Sequence, residues 1–271
     1  MVDLLIGITT VNGPDLVFAC LRSLQNFPPS IPYRLLIVND GSTGVTERIL
    51  NDIAVMFEAD IIHHKNGETP ANKGIPEGWN DIVGNAQAHG IPYALILNDD
   101  IEFLPNRAIE AALYIHQKNE RIGAVGLQPY YRVPSGWIPT WPTDYPMTKP
   151  ALVPRAAGCS FMTSTAAWEQ VGQFDPQFTS HFEDVDYAVR LHQRGYASVN
   201  IPQGVQHGWS QTFQRNPELH GHLRLEVSKM KFLKKWGQLP DAFTIPSPRE
   251  LQFLSPEGIE SHATCEFRRV Y

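Results

Sequence analysis

The 271-residue sequence predicts an α/β protein with a mostly parallel sheet flanked by helices, followed by a helical C-terminal extension. Two observations lead to this fold class. Over the first hundred residues, short apolar runs alternate with helical patterns in the order β-α-β-α-β-α-β. Several of the apolar runs also end in polar residues, as expected where the carboxyl ends of parallel strands form a ligand site. The length fits one large domain with an appendage.

The first hundred residues contain four strand patterns and three helix patterns. Pro14 suits the first position of a helix, and Ser42 or Thr43 suits the N-cap of the next one. In that second helix the apolar residues Ile49, Ile53 and Met56 recur at i, i+4 and i+7, which predicts a core-facing stripe. The predicted strands are 4–9, 33–40, 60–64 and 93–100, and the predicted helices are 13–24, 41–57 and 79–90.

The second half continues the alternation less regularly. Residues 129–154 are rich in proline, tryptophan and tyrosine without a clear period, which predicts a long loop. We expect a domain over residues 1–215 and a helical extension over 216–271 that packs on it. The remaining elements are a helix at 105–119, a strand at 122–131, a strand and short helix within 156–175, a helix at 181–196, an edge strand at 199–207 and a helix within 218–237.

Composition limits the class of protein. Hydrophobic residues are 42% and charged residues 18% of the chain, which is typical of a globular protein, and the net charge of -6 gives no support for a nucleic-acid surface. Cys20, Cys159 and Cys265 are far apart and form no metal-binding spacing, which favours a reducing compartment. No apolar run approaches the ~20 residues that span a bilayer. We therefore expect a cytoplasmic protein, with a peripheral membrane contact left open.

Adjacent acids follow the predicted strand in the segment LILNDDIEF. Asn98, Asp99 and Asp100 place three oxygen-bearing side chains at the end of an apolar run. Hard cations such as Mn²⁺ or Mg²⁺ bind carboxylate oxygens together with substrate phosphates, and a strand end leaves room for both. For this motif alone, a solvated turn capped by aspartate is an equally good explanation.

Two further groups of residues are candidates for a catalytic or metal-binding role. Glu183 and Asp184 lie in the first turn of a predicted helix, where the helix dipole stabilises a carboxylate that can accept a proton. Plain capping is the commoner reason for acids at such a position. His207 follows the predicted edge strand, and a lone histidine there is more often structural than a ligand.

These motifs, in this order, resemble the family-2 glycosyltransferases of the GT-A fold, whose sheet is Rossmann-like. The resemblance covers roughly residues 3–212. It implies an enzyme that moves a sugar from a nucleotide-diphosphate donor to an acceptor hydroxyl with inversion. The segments that carry it are GITTVNGPDLVFACLRSL, LLIVNDGSTG, NKGIPEGWNDIVGNA, LILNDDIEF, AAGCSFMTSTAAWEQVGQFDPQFTSHFEDVDYAVRLHQRGY and VQH.

The resemblance also implies roles for individual positions. Asp100 matches the last position of the family's D-x-D metal motif and Asn98 the first, so this copy reads N-D-D and leaves Asp99 or Asp100 as the principal ligand of Mn²⁺ or Mg²⁺. Asp184 matches the general base, with Glu183 beside it, and His207 matches a histidine of the metal shell. The positions implied to bind the nucleotide and its phosphates are Thr9, Thr10, Asn12, Asp40, Asn72 and Lys73.

The chemistry requires groups on both sides of the sugar. A cation offsets the charge that develops on the diphosphate, and a carboxylate on the opposite face takes the proton of the attacking hydroxyl. Trp137, Trp141 and Tyr145 in the predicted loop are candidates to stack on an acceptor sugar, although ordinary loop packing is the commoner explanation. The alternatives are a sugar nucleotidyltransferase, which would need a glycine-rich basic loop absent from TTVNGPD, and a non-catalytic binding module on the same scaffold.

Overall fold

The computed structural model describes residues 2–133, 136–138, 150–208, 211–219 and 221–240. Within these ranges the strands are β1 (Leu4–Thr10), β2 (Tyr33–Asn39), β3 (Asp60–His63), β4 (Lys65–Asn66), β5 (Thr69–Pro70), β6 (Tyr93–Asn98), β7 (Ile101–Phe103), β8 (Ile122–Val133), β9 (Gly136–Ile138), β10 (Ala151–Val153), β11 (Ser160–Ser164) and β12 (Ala197–His207). The helices are α1 (Pro14–Asn26), α2 (Gly44–Met56), α3 (Ile75–Ala88), α4 (Ala108–Lys118), α5 (Thr165–Val171), α6 (Glu183–Gln193), α7 (Gln211–Arg215) and α8 (Gly221–Trp236), with a 3₁₀ helix at Pro217–Leu219.

The N-terminal half forms the parallel part of the sheet. β1 lies between β2 and β6, with β3 beyond β2, and all of these pairs are parallel. This register places the ends of β1, β2 and β6 side by side, with Thr9 opposite both Val38 and Asn98. The polar residues that follow three strands in the sequence therefore lie at one edge of the sheet.

The second half completes a mixed sheet in the order β10-β12-β8-β11-β6-β1-β2-β3. β11 is antiparallel to both β6 and β8, and β12 is parallel to β8. The prediction of an edge strand at 199–207 is wrong, because β10 and β7 pair with β12 along its other side. Those two strands have three residues each, too few for a recognisable pattern.

Apolar side chains pack on both faces of the sheet. On one face α1 buries Val17, Leu21 and Leu24, and on the other α3 buries Trp79 and Ile82. The stripe predicted for α2 is correct at Ile53, which is buried, but wrong at Ile49 and Met56, which are exposed while Leu50 and Ala54 are buried instead. The helix covers the sheet near its edge and therefore buries a narrower face.

The predicted loop at 129–154 contains strand structure. β8 extends to Val133, and β9 and β10 fall within the same range. Of the aromatic residues considered for acceptor stacking, Trp141 and Tyr145 and the side chain of Trp137 lie outside what the structure describes.

The start of α6 is held in an unusual backbone conformation. His181 and Phe182 both have positive φ, of 63° and 68°, which is rare for residues with large side chains. α8 packs against this region: Ser228 Oγ donates to the Ser180 carbonyl at 2.7 Å, and the Trp236 indole donates to Asp186 at 2.9 Å. Among the described residues, no helix combines the length and apolar character needed to cross a bilayer.

Candidate active site

A cavity of about 90 Å³ lies where the carboxyl ends of β1, β2 and β6 meet. One side is formed by residues that the sequence singled out, and the other by the segment after β12. The predicted residues that line it are Thr9, Thr10, Asp40, Asn72, Asn98, Asp99 and Asp100. The residues that sequence reasoning missed include Thr179, Ser180, Thr212, Phe213, Leu219 and Arg224.

Asp99 is almost fully buried and is held by two hydroxyl groups. Thr10 Oγ1 donates to one carboxylate oxygen and Thr212 Oγ1 to the other, each at 2.7 Å. Burial and the adjacent charge of Asp100 raise the pKa of Asp99 to about 7, against the effect of these hydrogen bonds. The unfavourable free energy of burying two adjacent carboxylates therefore appears mainly as the raised pKa of Asp99.

Asp100 has the opposite balance. His207 Nε2 lies 3.1 Å from one carboxylate oxygen, and the Gln211 amide donates to the other at 3.1 Å. Burial opposes ionisation, but charged His207 and these hydrogen bonds outweigh it and lower the pKa of Asp100. Burial likewise opposes the charge on His207, whereas Cys159 and Asp100 beside the ring raise its pKa well above its usual value. Asp100 is thus the ionised member of the acidic pair.

These residues fit a divalent cation that shares its ligands with a substrate. The donor set of Asp100, Asp99 and His207 is of the oxygen and imidazole type that Mn²⁺ binds. Among the described residues, no group of three or more acidic, histidine or cysteine side chains is already arranged around a metal position. Substrate phosphates would therefore have to complete the coordination shell.

Asp40 organises the wall of the cavity. The backbone amides of Lys73 and Gly74 donate to its carboxylate at 2.7 and 3.0 Å, and the Asn72 side chain donates at 2.8 Å. His64 Nδ1 lies 2.6 Å from the same carboxylate, and its Nε2 lies 2.6 Å from Asp81 on α3. Asp40 therefore fixes the segment 72–74 through direct hydrogen bonds, and His64 ties this arrangement to α3.

His64 is a buried cation that the sequence analysis did not identify. Burial opposes its charge, but the hydrogen bonds to Asp40 and Asp81 outweigh burial and raise the pKa of His64 to about 9. Nothing in its sequence context, at the end of a short strand, distinguishes it from a surface histidine.

Three predicted nucleotide-site residues have different placements. Thr9 lines the cavity, but its hydroxyl is buried against Gly78 of α3 and has no hydrogen-bond partner among the described residues. Asn12 lies outside the lining, where its side chain donates to Asn216 at 3.1 Å. The Lys73 side chain is exposed and is also outside the lining.

The segment after β12 closes the cavity. Besides Thr212, it contributes Phe213, whose ring stacks on His181 with 5.5 Å between centroids. It also contributes Arg224, which donates to Asn72 at 3.4 Å. Arg224 adds a cation to the lining that also contains Asp99 and Asp100. Its role had no sequence signal, because the helical pattern of 218–237 shows only that the chain is helical there.

Glu183 and Asp184 begin α6, as predicted, but neither lines this cavity. Asp184 borders a smaller neighbouring cavity and forms an ion pair with Arg155. Glu183 is buried, and burial together with the charge of Asp184 raises the pKa of Glu183 well above its usual value.

A short stretch of chain connects the two acidic pairs. A Cβ atom added at Gly158 would lie only 2.5 Å from the Asp184 carboxylate, so Asp184 packs directly on this glycine. The next residue, Cys159, accepts a hydrogen bond from the Asn98 amide at 2.9 Å and lies beside His207. Asp184 and Asp100 are therefore separated by the strand-end segment 158–159. That Asp184 faces a bound donor stays a prediction.

The chain was compared with known proteins. The family model described as glycosyl transferase family 2 matches residues 5–167, which is more than half of the chain. Two relatives, the N-acetylglucosaminyl-diphospho-decaprenol L-rhamnosyltransferases of two Mycobacterium tuberculosis strains, are each 28% identical over 261 residues. Each match covers 81% of this chain and 81% of the relative.

Solved structures share the fold at low sequence identity. A mannosyltransferase from Pyrobaculum calidifontis in complex with GDP-Man and Mn²⁺ has a TM-score of 0.59 at 13% identity, over 93% of this chain and 68% of that one. GalNAc-T7 with UDP, GalNAc and Mn²⁺ has a TM-score of 0.61 at 14% identity, over 97% of this chain and 54% of that one. S. aureus TarS has a TM-score of 0.57 at 13% identity. The match covers 98% of this chain but only 44% of TarS. The predicted GT-A fold, with its mostly parallel sheet, is confirmed.

We predict that His64 stabilises the protein in a pH-dependent way. Because its pKa is raised from 6.5 to about 9, its contribution is fully present below pH 6.5 and is lost as the pH rises through about 9. His64→Gln should reduce the free energy of unfolding near neutral pH by roughly 3 kcal/mol, since it leaves buried Asp40 without its cation. Urea unfolding of both proteins across this pH range measures the difference, which should shrink above pH 9.

The matched control is His89→Gln, at an exposed histidine that follows α3. It should leave stability and its pH dependence unchanged. A His64→Gln deficit that stayed constant through the alkaline range would contradict a charged His64.

Proposed function

Because the chain belongs to glycosyl transferase family 2, we propose that it transfers the sugar of a nucleotide-diphosphate donor to a hydroxyl group of a glycan acceptor. The observation that carries this proposal is the cavity at the strand ends, whose lining combines Asp99 and Asp100 with Arg224. Such a site suits a ligand that is both anionic and bound together with a cation. A diphosphate has these properties.

The wall held by Asp40 is assigned to the nucleotide. Thr9 and Asn72 line the same cavity, and Asn72 belongs to the segment fixed by Asp40. In this proposal Arg224, which lines the cavity, contacts the phosphates with its guanidinium group. In this proposal Asp40 contributes mainly by holding residues 72–74, because its oxygens already accept hydrogen bonds from the protein.

Asp100 is assigned as the residue that holds Mn²⁺ or Mg²⁺, with Asn98 beside it, and His207 would become a further ligand once the cation displaces its ring proton. Asp100 is preferred over Asp99 as principal ligand because its pKa is lowered, whereas that of Asp99 is raised. When bound, the cation would offset the charge that develops on the departing diphosphate. Asp99 holds Thr10 and Thr212 in place around it.

Asp184 is assigned as the general base of an inverting transfer. The acceptor oxygen attacks the anomeric carbon, its proton passes to Asp184, and the bond from that carbon to the diphosphate breaks with its electron pair going to the phosphate oxygen. Glu183 is less suited to the role, because its raised pKa favours the neutral form, which cannot accept the proton.

The acceptor is proposed to be a sugar carried on a lipid diphosphate. The support is the resemblance to the mycobacterial rhamnosyltransferases, whose name gives N-acetylglucosaminyl-diphospho-decaprenol as the acceptor, over 81% of both chains. The site acts at the cytoplasmic side of a membrane in this proposal, in keeping with the predicted location.

Two other functions fit less well. A sugar nucleotidyltransferase would need cations in the loop after β1, and that loop, TTVNGPD, has none. A binding module without turnover would bind the donor but would not consume the donor. A panel of nucleotide-sugars with Mn²⁺ or a chelator, followed by thermal shift and by release of nucleoside diphosphate, separates these cases. Stabilisation without any release on addition of acceptor would reject an enzyme.

Asp100→Asn should weaken donor binding about tenfold or more when Mn²⁺ is present and change it little in chelator, since it removes a ligand charge. Isothermal titration with the donor selected above measures both affinities. Glu102→Gln, at an exposed position two residues along the chain, is the control and should bind normally. Equal donor affinity with and without metal in the wild-type protein would contradict the assignment of Asp100 as a metal ligand.

Asp184→Asn should lower the transfer rate roughly a hundredfold or more and leave donor affinity near normal, because it removes the base and no donor contact. Initial rates at saturating donor measure the loss. Glu169→Gln, on the exposed side of α5, should transfer at the wild-type rate. Normal turnover by Asp184→Asn would show that the proton goes elsewhere.

Gly158→Ala tests whether the position of Asp184 matters. The new methyl group would displace the Asp184 carboxylate, so we expect turnover to fall roughly tenfold to a hundredfold with donor affinity retained. Gly84→Ala on α3 adds a methyl group into open space and should preserve the rate. If both alanine variants turned over equally, packing of Asp184 on Gly158 would have no catalytic role.

A further inference from the structure

The outward face of α8 exposes a continuous row of large apolar side chains. Leu223, Val227 and Met230 recur at i, i+4 and i+7 and are 57%, 51% and 65% exposed, with Leu233 beside them at 39%. The opposite face is packed, since Phe232 is fully buried and Lys231 donates to the Gln177 carbonyl at 2.6 Å. The helix is therefore anchored on one side and unpartnered, among the described residues, on the other.

The same helix is strongly basic in an acidic protein. Along the helix Arg224, Lys229, Lys231, Lys234 and Lys235 stand against one acid, Glu226, whereas the whole chain has a net charge of -6. Lys235 is ion-paired with Asp175 and Asp186 and Lys231 is bound to the Gln177 carbonyl, so Lys229 and Lys234 are the cations considered for docking. Lys229 and Lys234 are exposed alongside the apolar row. An apolar stripe flanked by lysines is the pattern of a helix that lies in the interface of an anionic bilayer.

A second exposed apolar row, on α2, lacks the basic flank that α8 has. On α2, Val45, Ile49 and Met56 are 61%, 41% and 62% exposed. That helix carries Glu47 and Asp52 against Arg48, so it has no basic flank. Pairing of two copies through α8 is also disfavoured, because it would bring two basic helices together.

We propose that the outer face of α8, formed by Leu223, Val227, Met230, Leu233, Lys229 and Lys234, docks the protein on an anionic lipid bilayer. The position of the helix couples this contact to the cavity, because Arg224 in its first turn lines the cavity. Docking through α8 brings the site to the headgroup region. The inference stands apart from the proposed reaction and holds whichever sugar is transferred.

Vesicle co-sedimentation of the full chain tests the proposal. Wild-type protein should bind vesicles of phosphatidylglycerol and phosphatidylcholine, bind pure phosphatidylcholine vesicles weakly, and dissociate as salt is raised. Replacing Leu223, Val227 and Met230 by serine should weaken partitioning roughly a hundredfold. Lys229→Gln with Lys234→Gln should weaken it about tenfold or more.

The control variant replaces Val45, Ile49 and Met56 on α2 by serine and should bind vesicles as the wild type does. Transfer to a water-soluble acceptor should be unchanged in the α8 serine variant, which also shows that it folds. This rate separates failure of docking from failure of the proposed reaction. Equal vesicle binding by the α8 and wild-type proteins, or none by the wild type, would overturn the proposal.

Oxidative footprinting of Met230 tests whether residues 241–271 or a second copy of the protein, rather than a bilayer, covers the outer face of α8. We expect Met230 to react freely in the isolated protein and to be protected by anionic vesicles. Protection in a monomer without vesicles would show that residues 241–271 cover the helix. Protection that rises with protein concentration would show a second copy there. Either result would reject bilayer docking.

Discussion

The site depends on the burial of two adjacent carboxylates at the end of β6. Removing two like charges from water is unfavourable, and the fold offsets it by surrounding Asp99 and Asp100 with Thr10, Thr212, His207 and the Gln211 amide. These groups come from β1, β12 and the segment after it. The acidic pair therefore requires most of the chain to be folded before it becomes stable, and in return it fixes how the segment after β12 lies over the cavity.

The sequence was most informative where a local pattern determines structure. Alternating apolar runs located β1, β2, β6 and α1, and polar residues at strand ends located Thr9, Asp40 and Asp99, because parallel strands bring their ends together. It failed for strands of three residues, which form by pairing with β12 and carry no pattern of their own. It also failed for the outward side of α2, since a periodic stripe does not reveal how wide a face is covered.

The missed residues of the site have a common cause. Thr212, Arg224 and His64 reach it through contacts between segments far apart in sequence, and each lies in a local context that fits an ordinary surface position. Arg224 also lies beyond residue 215, in the predicted C-terminal extension, and yet it lines the cavity. Burial, which the sequence does not give directly, is what turns His64 from a surface histidine into a cation between Asp40 and Asp81.

The same electrostatic arrangement occurs twice in this protein. In each pair of adjacent acids, burial and the neighbouring charge raise the pKa of one member, Asp99 or Glu183, while the other lies against a cationic side chain. Asp100 has His207 and Asp184 has Arg155. Environments that differentiate neighbouring carboxylates assign them different tasks. In the proposed reaction Asp100 would bind the cation and Asp184 would accept the proton, and the segment of Gly158 and Cys159, which contacts Asp184 and Asn98, lies between them.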